Sequence, residues 1–385
     1  MLLLENKMKK LLLLFLISFG LKAQLSPQAQ VSLITIAPGK DLYSVFGHSS
    51  IWVQDPMNGI DRVYSYGTFD FDTEFFYWKF LKGTLPYTIS VNSMPTILDY
   101  YGQVEHRTVN MQVLRLSATE KNAIFNALET NLLPENREYS YKFFYDNCAT
   151  RIRDRVEEVS GKSFAWDSYQ GLKNKSYRDW MNDYLEANSW AAIGMNLALG
   201  VPANEKASPS QSCYLPDNFF LATKLAARSG QKLADDPMAL YQAPEDVPQG
   251  FDWFGPFTWL SLLAILALII SFQSERLQYR FDVVLYSIYG LLGIFLFFLA
   301  VGTDHVVMGW NPSSLVLFPL QFPLVFWYAK KGAWGRFNLI MAVLAVVGFI
   351  WCLTESWTLV FPLLPIGIRT LALALAYRSK SGING

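Results

Sequence analysis

Five apolar stretches near the end of this 385-residue chain, at about 253 to 273, 283 to 301, 315 to 329, 337 to 353 and 358 to 377, constrain its fold most. A helix of about 20 apolar residues crosses the hydrocarbon core of a bilayer, where every backbone polar group must be satisfied internally. A membrane bundle of about five helices is therefore expected over residues 253–377. The third stretch is the shortest and carries Pro319 and Pro323, so a broken or re-entrant segment is the alternative there. The connections sort by charge. Arg276 and Arg280 lie in the first, Lys330, Lys331 and Arg336 in the third, and Arg378 and Lys380 in the tail 378–385, while the second and fourth contain no Lys or Arg. Basic loops stay in the cytoplasm, which puts residue 252 outside and the C-terminus inside. Trp253, Trp259 and Trp310 fit interfacial anchoring.

The other end agrees with that topology. Met8-Lys9-Lys10, an apolar core from Leu11 to Phe19 and the boundary Leu21-Lys22-Ala23 read as a signal peptide over residues 1–23. An apolar core of nine residues is too short to span. An exported domain is then expected over 24–234, with a Pro/Asp-rich linker over 235–252. Formal charge is zero and there is no basic run, so nucleic acid is not an expected partner.

Within the exported domain, strands are expected at 31–36, 47–54, 61–66, 86–92 and 107–116, with Pro56-Met57-Asn58-Gly59 turning the second into the third. Ser117 and Glu120 have capping-box spacing, and Ile124, Phe125, Leu128 and Leu132 recur at helical intervals, so a helix over 118–132 follows, ended by Pro134. After an aromatic extended run from Tyr139 to Tyr145, Asp146-Asn147-Cys148-Ala149 opens a second helix whose inward face carries Cys148, Ile152, Val156 and Val159. Residues 163–235 read as mostly helical with breaks.

Cys148 is the candidate nucleophile, because a helix N-terminus favours thiolate over thiol. Its alternative in an oxidising compartment is a disulfide with Cys213. His48, set on open backbone by Gly47, is the candidate base. A thiol at a helix start and an imidazole on a neighbouring strand are the core of papain-like nucleophilic catalysis, in which a third polar group orients the ring. Tyr64, Tyr66 and Asp61 are available on the next strand, and Tyr66 ranks first. Asn147 adjoins the nucleophile; Arg107 and Arg151 are candidates for phosphate, and otherwise solvated. His305, in the outer loop, is a candidate for head-group contact or site completion, and otherwise an ordinary loop residue. Arg369, inside the last apolar stretch, is a functional candidate by default, or pairs within the bundle. The scattered histidines give no metal site, and no cofactor is expected.

The order of His-bearing strand, paired strand, helix and Cys-bearing helix resembles the circularly permuted relatives of NlpC-type peptidases, which include lecithin retinol acyltransferase-like enzymes. Val45-Phe46-Gly47-His48-Ser49-Ser50-Ile51, Val63 to Phe71 and Phe144 to Thr150 are similar to the Lnb N-terminal periplasmic domain, and the apolar tail to the Lnb-type transmembrane domain. The resemblance implies an α+β, permuted papain-like domain on a five-helix bundle in the bacterial inner membrane. It also implies a lipoprotein N-acyltransferase in which Cys148 takes an acyl chain from a phospholipid and passes it to a diacylglyceryl-cysteine, with His48 as base. A Cys-His envelope hydrolase, either a cell-wall peptidase or a phospholipase, is the first alternative. A non-catalytic membrane receptor or assembly factor is the second.

Overall fold

The computed structural model describes residues 24–160, 174–228, 230–244, 250–331 and 334–381. The expected signal peptide and residues 161–173 lie outside the described residues. Seven strands form one sheet: β1 (Gln30–Ile36), β2 (His48–Asp55), β3 (Ile60–Thr68), β4 (Pro86–Asn92), β5 (Val109–Val113), β6 (Glu138–Ser140) and β7 (Met238–Tyr241). Their order is β6-β4-β3-β2-β1-β5-β7, and every neighbouring pair is antiparallel. The expected β2–β3 hairpin forms with Ile51 opposite Tyr64 and Asp55 opposite Ile60. Residues 238–241, expected within the linker, instead add an edge strand to β5. A four-residue strand in a Pro/Asp-rich segment carries too little alternation to be read from sequence.

The interior strand β1 is buried on both faces, as the alternation of its side chains shows. Val31 and Leu33 join one core with Ile51, Val53, Tyr64 and Tyr66, whereas Ile34 and Ile36 join another with Val63, Met94, Ile97 and Val109. The first face is covered by α2 (Ala118–Leu132) and α3 (Cys148–Ser160), which follow the short α1 (Phe76–Lys82) in the chain. The capping box of α2 forms as expected: Glu120 N–H donates to Ser117 Oγ, and Ser117 N–H to the Glu120 carboxylate at 2.7 Å. A 15-residue helix is marginal alone in water. Burying Ile124, Phe125 and Leu128 against the sheet, at about 1.5–3 kcal/mol each, is what holds it. The second face is covered by a helical segment, Met94–Ile97, running into the π-helical turn Leu98–Val104. Three further helices follow: α4 (Tyr177–Asn182), α5 (Trp190–Ala198) and α6 (Pro216–Leu225).

The C-terminal region comprises α7 (Pro256–Ile270), α8 (Glu275–Val301), α9 (Gln321–Lys331), α10 (Trp334–Glu355) and α11 (Leu364–Ser381). Among the described residues, three segments, Glu275–Val301, Gly335–Glu355 and Trp357–Tyr377, are long and apolar enough by themselves to cross a membrane, and the other two helices are shorter than the expected stretches. α7 has 15 residues and α9 has 11. The third stretch is broken, as its prolines allowed. A 3-10 turn at Pro312–Leu315 precedes irregular backbone around Leu317, and α9 starts only at Gln321. That backbone is packed against α8 so closely that a Cβ on Gly293 would lie 1.8 Å from the Leu317 carbonyl oxygen. Irregular backbone at membrane depth is tolerated where protein surrounds it.

The domain and the bundle are tied together at the loops. Asn204 Nδ2 donates to Glu355 at 2.7 Å, Thr358 Oγ1 to Asn196 Oδ1 at 3.1 Å, and Gly200 N–H to the Val307 carbonyl at 2.8 Å. Asn188 Nδ2 donates to the Asp252 carbonyl at 2.8 Å and its Oδ1 accepts from Phe257 N–H at 2.9 Å, fixing the entry into α7.

Candidate active site

Cys148 is the first residue of α3, and the turn that delivers it is built by Asn147. The Asn147 Oδ1 accepts the N–H groups of Ala149 and Thr150 at 3.0 and 2.9 Å, capping two of the free donors at the helix start. Its Nδ2 donates to the carbonyls of Phe143 and Tyr214 at 2.9 and 2.7 Å. Both polar atoms of this side chain are engaged within the protein, at the turn that leads into α3.

The thiol is buried where β2 begins and β3 ends. Ser49, the residue after His48, has its backbone N–H near enough to the Cys148 sulfur to favour the charged form, as do the backbone N–H groups at the start of α3. Gly67, in the left-handed region at φ 89°, lets the chain pass: a Cβ there would meet the Tyr141 ring at 3.2 Å and the Cys148 Cβ at 3.9 Å. Gly47, at φ 77°, similarly sets up His48, since a Cβ there would lie 2.9 Å from the Ile36 carbonyl oxygen. The Nε2 of His48 is buried and has no hydrogen-bond partner. The Ser49 hydroxyl and that of its register partner Thr35 are likewise buried and unpaired. Unsatisfied buried polar atoms are rare in folded proteins, so three at adjoining positions single out this end of the sheet.

Electrostatics set the resting protonation states. Burial, with the Arg107 charge second, pushes His48 down to about 4, so the imidazole is neutral near pH 7. Burial raises the Cys148 thiol above its ordinary value, outweighing the three N–H donors and Arg107, which all pull it down. Desolvation thus opposes the helix terminus, which favours thiolate.

Tyr66 does not orient His48. Its hydroxyl donates to Asn131 Oδ1 at 2.7 Å. Tyr64 is bound to Glu129, and Asp61 accepts from Trp52 Nε1 at 2.7 Å. The ring packed on His48 is Tyr101, stacked with centroids 6.1 Å apart at 24°. Tyr101 comes from the π-helical turn, which no periodicity in the sequence announces. Arg107 lies over Tyr101 at 5.3 Å and is buried, not solvated; its Nε donates to the Ala37 carbonyl at 2.7 Å and its Nη1 to Glu105 at 2.6 Å. Its Nη2 is buried without a partner. Arg151 is bidentate to Asp146, at 2.6 and 2.8 Å, and covers the Tyr139 ring at 3.5 Å.

The remaining candidates are elsewhere. His305 Nε2 lies 3.3 and 3.1 Å from the carbonyl oxygens of Phe80 and Leu81, so it latches the outer loop onto the end of α1. Arg369, fully buried, pairs with Asp282 of α8 at 2.5 and 3.0 Å and donates to Ser271 Oγ at 2.7 Å. All three cysteines are free thiols, so Cys148 and Cys213 are not bridged.

A mixed α/β domain with a buried thiol at a helix start, docked on a helical membrane region, defines a membrane protein with an extracytoplasmic globular part. Residues 21–182 match the model of the Lnb N-terminal periplasmic domain and residues 248–383 that of the Lnb transmembrane domain. The chain belongs to the Lnb-type family, with its N-terminal domain in the periplasm. No curated protein and no solved structure matches it significantly.

Proposed function

We propose that this protein is a membrane-bound, lipoprotein-modifying thiol acyltransferase, using Cys148 and His48 on a permuted papain-like domain. The observation that carries the reading is the Cys148 thiol, fixed at a capped helix start and buried beside the start of the strand that carries His48. With both groups neutral at rest, attack and proton transfer are coupled. Cys148 Sγ attacks the ester carbonyl carbon of a phospholipid while its proton passes to the imidazole. The tetrahedral intermediate collapses, the C–O bond breaks, and the lysophospholipid oxygen takes that proton. In the second half, the α-amino group of a lipoprotein diacylglyceryl-cysteine attacks the thioester carbon, the C–S bond breaks as the amide C–N bond forms, and the proton lost by the amine passes through the imidazole to the departing sulfur. A covalent intermediate splits one difficult transfer into two easier steps.

Docking on a membrane region supports a lipid substrate, because both acyl donor and acceptor reside in a bilayer and a tethered site raises their effective concentration. The buried, unpaired Nη2 of Arg107 supports a contact with substrate charge. In this reading the bundle lies in the bacterial inner membrane with the C-terminus cytoplasmic.

Purified protein incubated with labelled phospholipid and a diacylglyceryl-cysteine peptide tests the proposal. Amide formation lost in Cys148→Ser is the expected result. Release of free fatty acid without amide would make the protein a hydrolase, and full transfer by Cys148→Ser would refute the nucleophile.

A further inference from the structure

The short helix α1 presents an aromatic face that the domain core does not use. Phe75 is 69% exposed, Tyr77 82% and Phe80 55%, with Phe71 alongside at 66%. Soluble surfaces rarely gather large apolar side chains in this way. What lies next to them identifies the occupant. Trp78 of α1 stacks on Phe298 of α8, with centroids 5.7 Å apart at 20°, three residues before that membrane-spanning helix ends at Val301. Asp304 N–H donates to the Lys82 carbonyl at 2.9 Å, and the His305 ring packs against Gly83 and the last carbonyls of α1. The helix is thereby held at the level where α8 leaves the bilayer. Aromatic rings favour that interface, and Lys79 and Lys82 on the same helix suit lipid phosphates. Phe75, which caps α1, sits in the left-handed region at φ 55° and ψ 38°. A bulky side chain rarely adopts that conformation, and strain of this kind gathers at functional elements.

From this face a continuous series of rings leads inward. Phe76 packs on Phe71 and Phe69 at 4.9 and 5.9 Å, Phe69 on Tyr87 at 5.6 Å, and Tyr87 stacks on Tyr141 at 4.7 Å. Tyr141 and Cys148 then flank Gly67. Beside this series a cavity of about 480 Å³ opens between Ser140 and Lys142 of the domain and Ala300 to Gly309 of the membrane region.

We propose that α1 inserts its aromatic face into the outer leaflet and that the series Phe76, Phe69, Tyr87 and Tyr141 forms the wall along which a phospholipid acyl chain reaches Cys148. The route rests on the acyltransferase reading for its end point, while the insertion of α1 stands on its own contacts. Full-length protein in vesicles containing a phospholipid with a diazirine in its acyl chain is irradiated and digested. Adducts are expected on residues 69–80 and 139–141; adducts confined to the membrane helices would overturn the route. In parallel, Phe75→Ser, Tyr77→Ser and Phe80→Ser are combined, and acylation of Cys148 by the phospholipid is compared with acylation by p-nitrophenyl butyrate. The ratio of lipid to soluble-donor rates is expected to fall about tenfold or more, since three large apolar side chains no longer enter the interface. An unchanged ratio would overturn the proposal. If neither donor acylates Cys148 in the parent protein, the acyltransferase reading fails, and the photolabelling still decides whether α1 meets lipid.

Discussion

Replacing Asn147 by Ala separates the architecture of the site from its chemistry. The side chain makes four hydrogen bonds, three of them buried, two accepted from the first turn of α3 and two donated to carbonyls of residues 143 and 214. Loss of an N-cap costs about 0.5–2 kcal/mol. Leaving a buried acceptor unpaired costs about 1–3 kcal/mol, and here there are two. These terms share one side chain and are not additive, so a loss of about 3 kcal/mol is expected. Asn147→Ser retains the capping oxygen but neither donor, and should fall between the parent and Asn147→Ala. Thermal unfolding of the full chain in detergent gives the ranking, and thiol alkylation of Cys148 in the native state reports its accessibility. Asn147→Ala should unmask the thiol at temperatures where the parent protects it. Equal stability and equal protection in all three proteins would refute the account of Asn147 as the residue that holds Cys148 in place.

Protonation gives a second expectation. The folded-state value of His48 lies at about 4, below its ordinary 6.5, so its contribution to stability is present above pH 6.5 and lost as pH falls through about 4. Acylation of Cys148 should show its acid limb near pH 4 instead of 6.5; a limb at 6.5 in the kcat/KM profile would contradict the buried neutral imidazole. In the membrane region, Arg369→Leu or Asp282→Leu alone should cost about 3–5 kcal/mol by stranding a buried charge, whereas the double replacement should recover most of it. Thermal unfolding of the three variants checks this. Cys213→Ala should leave acylation of Cys148 unchanged within about twofold, because Cys213 is a core thiol in no disulfide, and a small apolar side chain can replace it there.

The division between an exported domain and a membrane region was legible because export signals and apolar length are one-dimensional properties. The hairpin of β2 and β3, the capping box of α2 and the placement of Cys148 at a helix start were legible for the same reason, each being a local pattern. What escaped was set by tertiary packing. Tyr101 reaches His48 from a π-helical turn, and Tyr66, although two residues along from Tyr64 on the favoured face of β3, bonds to Asn131 across the core. The helix-terminus effect on Cys148 was visible in sequence, whereas the opposing desolvation was not. The third apolar stretch was legible only as a warning, carried by its prolines. Its actual path depends on the close approach of Leu317 to Gly293, a contact between positions far apart in the sequence. α1 escaped for a different reason: seven residues, none buried, give no amphipathic period relative to a core.

The central claim is that an acyl chain passes through the sulfur of Cys148. Full-length protein incubated with phospholipid and no acceptor, then digested and analysed by mass spectrometry, tests it most directly. The expected result is the acyl mass on the peptide containing Cys148, removed by neutral hydroxylamine, absent from His48→Ala and chased into amide when a diacylglyceryl-cysteine peptide is added. An unmodified Cys148 in protein that still forms the amide would contradict the account.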